Sequence, residues 1–245
     1  MSRVYGDDYF RGGAAGYCDY LGDETILRER GRWYGRLLSR HMGPGRVLDV
    51  GAAAGFWLAG MADLGWAGRG IEPNDRMSAH ARERLGLDVL PGTLEAFQSD
   101  EIFDLVAMIQ VVAHFVDVRG ALRVAAEHTR PGGHWLIETW DRSSLSARLF
   151  GRRWHEYSPP SVLHWFTGDG LGRLARSFDM REVARGRPRK RISGAHAKSL
   201  LRYKLQGGLP RWLVDGVLRV IPDRLTLPYP SDDVFWMLLR RDETP

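Results

Sequence analysis

The stretch "VLDVGAAAGFWLAG", residues 47–60, constrains the fold more than any other part of the chain. A short apolar run carrying Asp49 breaks into Gly51–Gly55, where side chains are nearly absent, and then resumes with apolar residues at helical spacing. That is a strand, a tight corner and a helix. Glycine permits a positive φ, and missing side chains let another body touch the backbone. In an open α/β sheet, ligands bind beyond the carboxyl ends of the strands, where the strand order reverses. The corner is therefore a ligand site if the rest of the chain supplies such a sheet.

The pattern that follows supplies it. Strand-like runs at 46–50, 68–72, 87–90, 103–110 and 134–139 alternate with helices expected over 54–64, 75–85 (capped by Asn74 or Asp75) and 117–129. "FDLVAMIQ" is apolar nearly throughout, as a strand covered on both faces must be. "RPGG" at 130–133 reads as a turn. A helix over 170–178, a strand over 180–187 and a last strand over 233–241 complete seven strands. Strands and helices in alternation imply a mostly parallel sheet with helices on both faces. Four regions result: an N-terminal helical cap (1–45, with a helix over 25–41), a core (46–187), a basic amphipathic insertion (188–230) and a closing strand with a tail (231–245).

At 245 residues and 44% apolar content the chain can bury a full core. Its single cysteine, Cys18, excludes an intrachain disulfide framework and gives no metal cluster; a reducing cytoplasm fits. The N-terminus lacks a secretory signal, and no apolar run is long enough to span a bilayer. The net charge of +5 is local: residues 181–211 hold ten Lys or Arg against one acid, Glu182, so the remainder is net negative. Such a patch suits a phosphate, a nucleotide or an acidic surface, or is simply a solvated helix face. It lacks the interleaved aromatic ladder of single-strand binders, which argues against nucleic acid.

Chemistry narrows the ligand at the corner. Glu72 ends the second strand, where a carboxylate can accept hydrogen bonds from both hydroxyls of a ribose. A dinucleotide fold wants G-x-G-x-x-G, but the register here is G-A-A-A-G. Asp49 just before it suits an ammonium group better than a pyrophosphate. The free N–H groups expected at the start of the following helix suit a carboxylate or phosphate. A ribose, an ammonium and a carboxylate together describe S-adenosylmethionine.

At these residues the sequence resembles the class I S-adenosylmethionine-dependent methyltransferases. "VLDVGAAAG" is similar to their first motif and "GWAGRGIEPND" to the second; "LPGTLEAF" is similar to the adenine loop, and "FDLVAMIQVVAHFVD" and "RPGGHWLIET" to the fourth- and fifth-strand motifs. The likeness is strong over 47–139, weaker outside, and greatest to bacterial enzymes of polysaccharide and natural-product pathways. It implies a Rossmann-like sheet with an antiparallel last strand. The 188–230 insertion, which leaves the sheet at the same carboxyl edge as the cofactor, is expected as a helical lid over the acceptor site. The likeness assigns Asp49, Gly51, Ala53 and Gly55 to the methionine end, Glu72 and Pro73 to the ribose, and Thr93 and Leu94 to the adenine. Gln110 would face the methionine end or the acceptor, and Tyr17 and Tyr20 would close over the sulfonium, since aromatic faces attract cations. There are two departures: Ala53 stands where glycine is usual, and Ala113 precedes His114 where the family often has Glu-His.

The expected activity is methylation of a small molecule, at oxygen first, with nitrogen or carbon open. A hydroxyl acceptor benefits from a general base, and histidine titrates in the right range. His114 follows the fourth strand at the ligand edge; His164 and His155, in "RRWHEYSPPSVLHWF", are the other candidates. Trp154 and Tyr157 either shape the acceptor pocket or belong to the core. Segment 209–221 is amphipathic enough to lie on a membrane, or docks on the protein. The chain is expected as a monomer or a homodimer. Two other readings remain open here: a nicotinamide-dependent oxidoreductase, and a non-catalytic cofactor- or RNA-binding module.

Overall fold

A computed structural model of the chain describes residues 20–189, 191–194, 198, 222, 225–228 and 232–243. Helix α1 (Glu24–Leu38) precedes β1 (Arg46–Val50), α2 (Phe56–Ala62), β2 (Ala67–Glu72), α3 (Asp75–Leu85) and β3 (Asp88–Pro91). There follow β4 (Phe103–Ile109), α4 (Val118–Glu127), β5 (Thr129–Trp140), α5 (Leu145–Phe150), α6 (Gly168–Arg176) and β6 (Met180–Gly186). Two short strands, β7 (Arg191–Ser193) and β8 (Thr226–Pro228), come before β9 (Val234–Arg241). The large sheet has seven strands in the order β3-β2-β1-β4-β5-β9-β6. Pairing is parallel from β3 through β5, while β9 runs antiparallel between β5 and β6. This is the expected Rossmann-like architecture, and its strand order reverses between β1 and β4.

Local chemistry sets the boundaries. Helix α3 starts at Asn74, whose side chain accepts from the Met77 N–H, and ends at Gly86 with φ +65. Asp117 caps α4 and Thr167 caps α6 in the same way. Thr167 therefore starts α6 two residues before the expected 170. Helix α2 starts at Phe56 rather than Ala54 because Gly55, at φ +80, is left-handed. "RPGG" is not a free turn: it lies inside β5, as an irregularity where the register with β4 shifts between Phe103 and Leu105. One face of the sheet packs Phe103, Val106, Trp135 and Leu171; the other packs Tyr34, Trp57, Leu105 and Leu238.

The two ends of the 188–230 insertion form an antiparallel ribbon, Arg191–Ser193 against Thr226–Pro228. Nearly all of the expected helical lid, including segment 209–221, lies outside the described residues, as do Tyr17 and Cys18. Among the described residues no helix is long and apolar enough to cross a membrane.

Candidate active site

The corner after β1 lines a cleft with about 260 Å³ of free space at the strand reversal. Gly51 has φ +73, and a Cβ there would sit 2.4 Å from Val111 Cγ1, so only glycine fits. Ala53 also takes a left-handed φ, +46, where glycine would be unstrained. The loop's N–H groups are mostly spent inside the protein. Those of Gly51 and Ala52 donate to the Ile71 carbonyl, and that of Ala53 donates to Glu72 Oε2 at 2.8 Å. Gly55 buttresses the loop instead of lining the cleft, since a Cβ on it would meet Leu87 and Ala81.

Asp49 and Glu72 are both buried and both line the cleft. Burial, and then the neighbouring Glu72, raise the Asp49 carboxyl to about 8. Burial raises Glu72 to about 7, opposed by the N–H groups of Asn74 and Ala53. Each Glu72 oxygen accepts one of these two bonds and keeps a lone pair for a further donor. Asp49 Oδ2 is buried with no hydrogen-bond partner, a costly condition that a bound donor relieves. Three more acceptor atoms, on two other residues that line the cleft, share it: Gln110 Oε1 and both oxygens of Glu95.

Of the other expected cofactor residues, Pro73, Thr93, Leu94, Gln110 and Tyr20 line the cleft, and Tyr20 stacks on Phe56 with ring centres 5.8 Å apart. Gln110 stands out, being a non-glycine residue with φ +60 immediately after β4. Its Nε2 donates to Glu138 Oε1 at 2.5 Å. Glu138, on β5, is fully buried and also accepts from Arg30 and Tyr34 of α1. Those donors hold its carboxyl below the usual range despite burial. Arg30 reaches the cleft as well.

On the acceptor side the histidines separate. His114 lines the cleft beside Trp140, whose ring meets it edge-on at 5.4 Å. Its Nδ1 lies 2.6 Å from the Ser161 carbonyl, which can only accept, so Nδ1 carries a hydrogen, and the Gln110 backbone also hydrogen-bonds the ring. Burial lowers its pKa. His164 sits behind, its Nε2 donating to the Phe115 carbonyl at 2.9 Å. His155 is 61% exposed and lies 3.0 Å from Glu156 Oε1. Trp154 is core, 1% exposed, with its indole N–H on Asp233. Tyr157 packs edge-on between Trp154 and Trp165. Neither aromatic lines the cleft; Glu156 does, and its carbonyl accepts the Trp165 indole N–H.

Arg30, Glu95, Glu138 and Glu156 escaped the sequence reading. Arg30 and Glu156 reach the cleft through tertiary placement with no motif of their own, while Glu95 and Glu138 lie inside the motif-like stretches "LPGTLEAF" and "RPGGHWLIET" without being singled out there. Two left a signal: Glu138, an acid inside a run, "HWLIETW", that must be buried, and Glu95, which directly follows Thr93 and Leu94 in the adenine-loop stretch.

A family model described as a methyltransferase domain matches residues 24–184. The ubiquinone biosynthesis O-methyltransferase of Methylocella silvestris is 31% identical over 169 residues, covering 66% of this chain and 64% of that protein. The protein of the same name from Rhizobium rhizogenes is 30% identical over 153 residues, 54% of this chain and 62% of its own. The chain thus spans less than two thirds of the length of these curated relatives. In fold it is similar to a SAM dependent methyltransferase from Archaeoglobus fulgidus, with a TM-score of 0.60 at 15% identity, covering 91% of this chain and 100% of that one. It is also similar to the N-methyltransferase NodS of Bradyrhizobium japonicum in complex with S-adenosyl-L-homocysteine, with a TM-score of 0.57 at 18% identity, covering 97% and 94%.

Proposed function

The chain belongs to the methyltransferase-domain family, within the class I S-adenosylmethionine-dependent methyltransferases, and from that premise we propose that it methylates an oxygen of a small-molecule acceptor. One observation carries the reading. Two buried carboxylates, Asp49 and Glu72, flank a left-handed loop, and Asp49 keeps an oxygen that nothing in the protein satisfies. The acceptors around the cleft match the donors of S-adenosylmethionine. Asp49 and Gln110 suit the ammonium, Glu72 the ribose hydroxyls, and Glu95 the adenine amino group. Arg30 brings positive charge for the carboxylate. The nicotinamide alternative fits less well, because the loop offers few free N–H groups to a pyrophosphate.

The cofactor supplies a methyl group already activated on a sulfonium, which leaves positioning, desolvation and proton removal to the protein. Trp140, Phe115 and His114 make a largely apolar wall on the acceptor side. Burial favours the neutral form of His114, the form that can take the proton of an acceptor hydroxyl. Glu156, on the same wall, favours the imidazolium that results. Oxygen as the acceptor atom is further supported by the names of the two curated relatives, both O-methyltransferases.

Calorimetric titration with S-adenosylhomocysteine tests the reading. Binding is expected, and Glu72→Ala should weaken it by about 1–3 kcal/mol, the worth of hydrogen bonds to a charged group. No binding at millimolar ligand would overturn the assignment.

A further inference from the structure

Gln110 meets Glu138 twice. Its backbone N–H donates to the Glu138 carbonyl at 2.8 Å, and its side-chain amide donates to the Glu138 carboxylate at 2.5 Å. The left-handed φ of +60 turns the residue back onto its neighbouring strand for this purpose, at a conformational cost that a non-glycine residue rarely bears without compensation. An ionised carboxylate offers acceptors only. Every contact that Glu138 makes obeys this: Arg30, Tyr34 and Gln110 all donate to it. The –NH₂ of Gln110 must therefore face Glu138, and its Oε1 must face the opposite way. That oxygen is buried and unpartnered, as is Asp49 Oδ2, and both residues line the same cleft. The two come from adjacent parallel strands, since Asp49 pairs with Ala107, three residues before Gln110.

We infer that Glu138 is a positioning residue that fixes the amide of Gln110 in one of its two orientations, so that Oε1 and Asp49 together receive the ligand's ammonium group. The inference rests on the proposed cofactor. A terminal amide has two nearly isosteric orientations, and only an acceptor-only partner behind it selects between them. A neutral amide at 138 would offer donors as well, letting Gln110 present its –NH₂ to the cleft, where it would repel a cation. Arg30 and Tyr34 complete the clamp by holding Glu138 ionised and still, and they tie α1 to the strand reversal.

The test compares two ligands that share the adenosine. S-adenosylhomocysteine has the amino-acid end, and 5′-methylthioadenosine lacks it. Glu138→Gln should weaken the first by roughly ten- to a hundredfold, the worth of a charge-assisted hydrogen bond. It should leave the second within about twofold, inside the scatter of unrelated surface changes. Gln110→Met should reproduce the selective loss, and the double variant should lose little more than either single one, because both act through the same oxygen. Equal loss for both ligands, or additive losses, would overturn the inference by making Glu138 merely architectural. If Glu138→Gln does not fold, the unaltered protein still decides: the Gln110 side-chain amide protons should resist solvent exchange with and without ligand, and rapid exchange would refute the clamp. An unaltered protein that binds neither ligand would instead overturn the cofactor assignment and, with it, this inference.

Discussion

His114 and the Asp49–Glu72 pair sit in one cleft, yet burial moves them in opposite directions on the pH scale, because burial disfavours whichever form is charged. For His114 the neutral form is favoured, and that is the form a base needs. The acid limb of kcat should therefore fall below the ordinary histidine value of about 6.5. His114→Ala should cost about 10²- to 10⁴-fold in kcat, the usual contribution of a general base, while S-adenosylhomocysteine affinity barely changes. A variant that keeps its turnover would remove His114 from the chemistry. The stability consequence has a definite sign. Below about pH 6.5 the unfolded chain takes up a proton that folded His114 refuses, so this group costs stability as pH falls. Among the site residues, those on motifs were legible from sequence: Asp49, Gly51 and Glu72 stand at a strand end or corner whose position the alternation fixes. His155 and His164 were not separable from His114, because the hydrogen bonds to Ser161 and Phe115 that sort them join segments 47 and 49 residues apart.

Helix α1 meets α2 at a pair of glycines. A Cβ on Gly31 would lie 2.2 Å from the Trp57 carbonyl oxygen, and one on Gly60 would lie 2.0 Å from that of Arg28. The backbones touch, so the two helices have no room for even a methyl group between them. Gly31→Ala should destabilise by about 1–3 kcal/mol or more through forced separation. It should also weaken ligand binding, because α1 carries Arg30 and Tyr34 to Glu138. Gly43→Ala is the control: nothing lies within 4 Å of its added Cβ, so urea unfolding should shift by less than about 0.5 kcal/mol. A Gly31→Ala protein as stable as the control would refute the contact. At this scale the sequence was most readable where one residue type decides a boundary, as Asn74 and Gly86 do for α3. It was least readable where pairing decides. "RPGG" looks like a turn by composition, but the register shift between β4 and β5 absorbs it into a strand. The glycines at 31 and 60 gave no warning, because close helix approach is a property of two segments and not of either alone.

The whole molecule stores protons at its ligand site. With the Asp49 carboxyl at about 8 and that of Glu72 at about 7, the free folded protein keeps protons that the unfolded chain releases near its ordinary range of about 4. Both shifts are upward, so their stabilising contribution is fully present below that range and is lost as pH rises through 7 and 8. A cationic ligand reverses the preference, because an ammonium beside Asp49 favours the ionised form. Binding near pH 7 must then expel protons. Titration with S-adenosylhomocysteine in two buffers of different ionisation enthalpy should register that release, up to about one proton per carboxylate, and affinity should climb between about pH 6 and 8 by as much as tenfold per unit for each proton lost. The thermal shift at fixed ligand concentration should widen over the same window, since ligand stabilisation follows affinity. Asp49→Asn should remove its share of the release together with part of the affinity. A flat affinity profile, or protons taken up instead of given off, would mean that the pair is already ionised in the free protein and that burial does not govern this site.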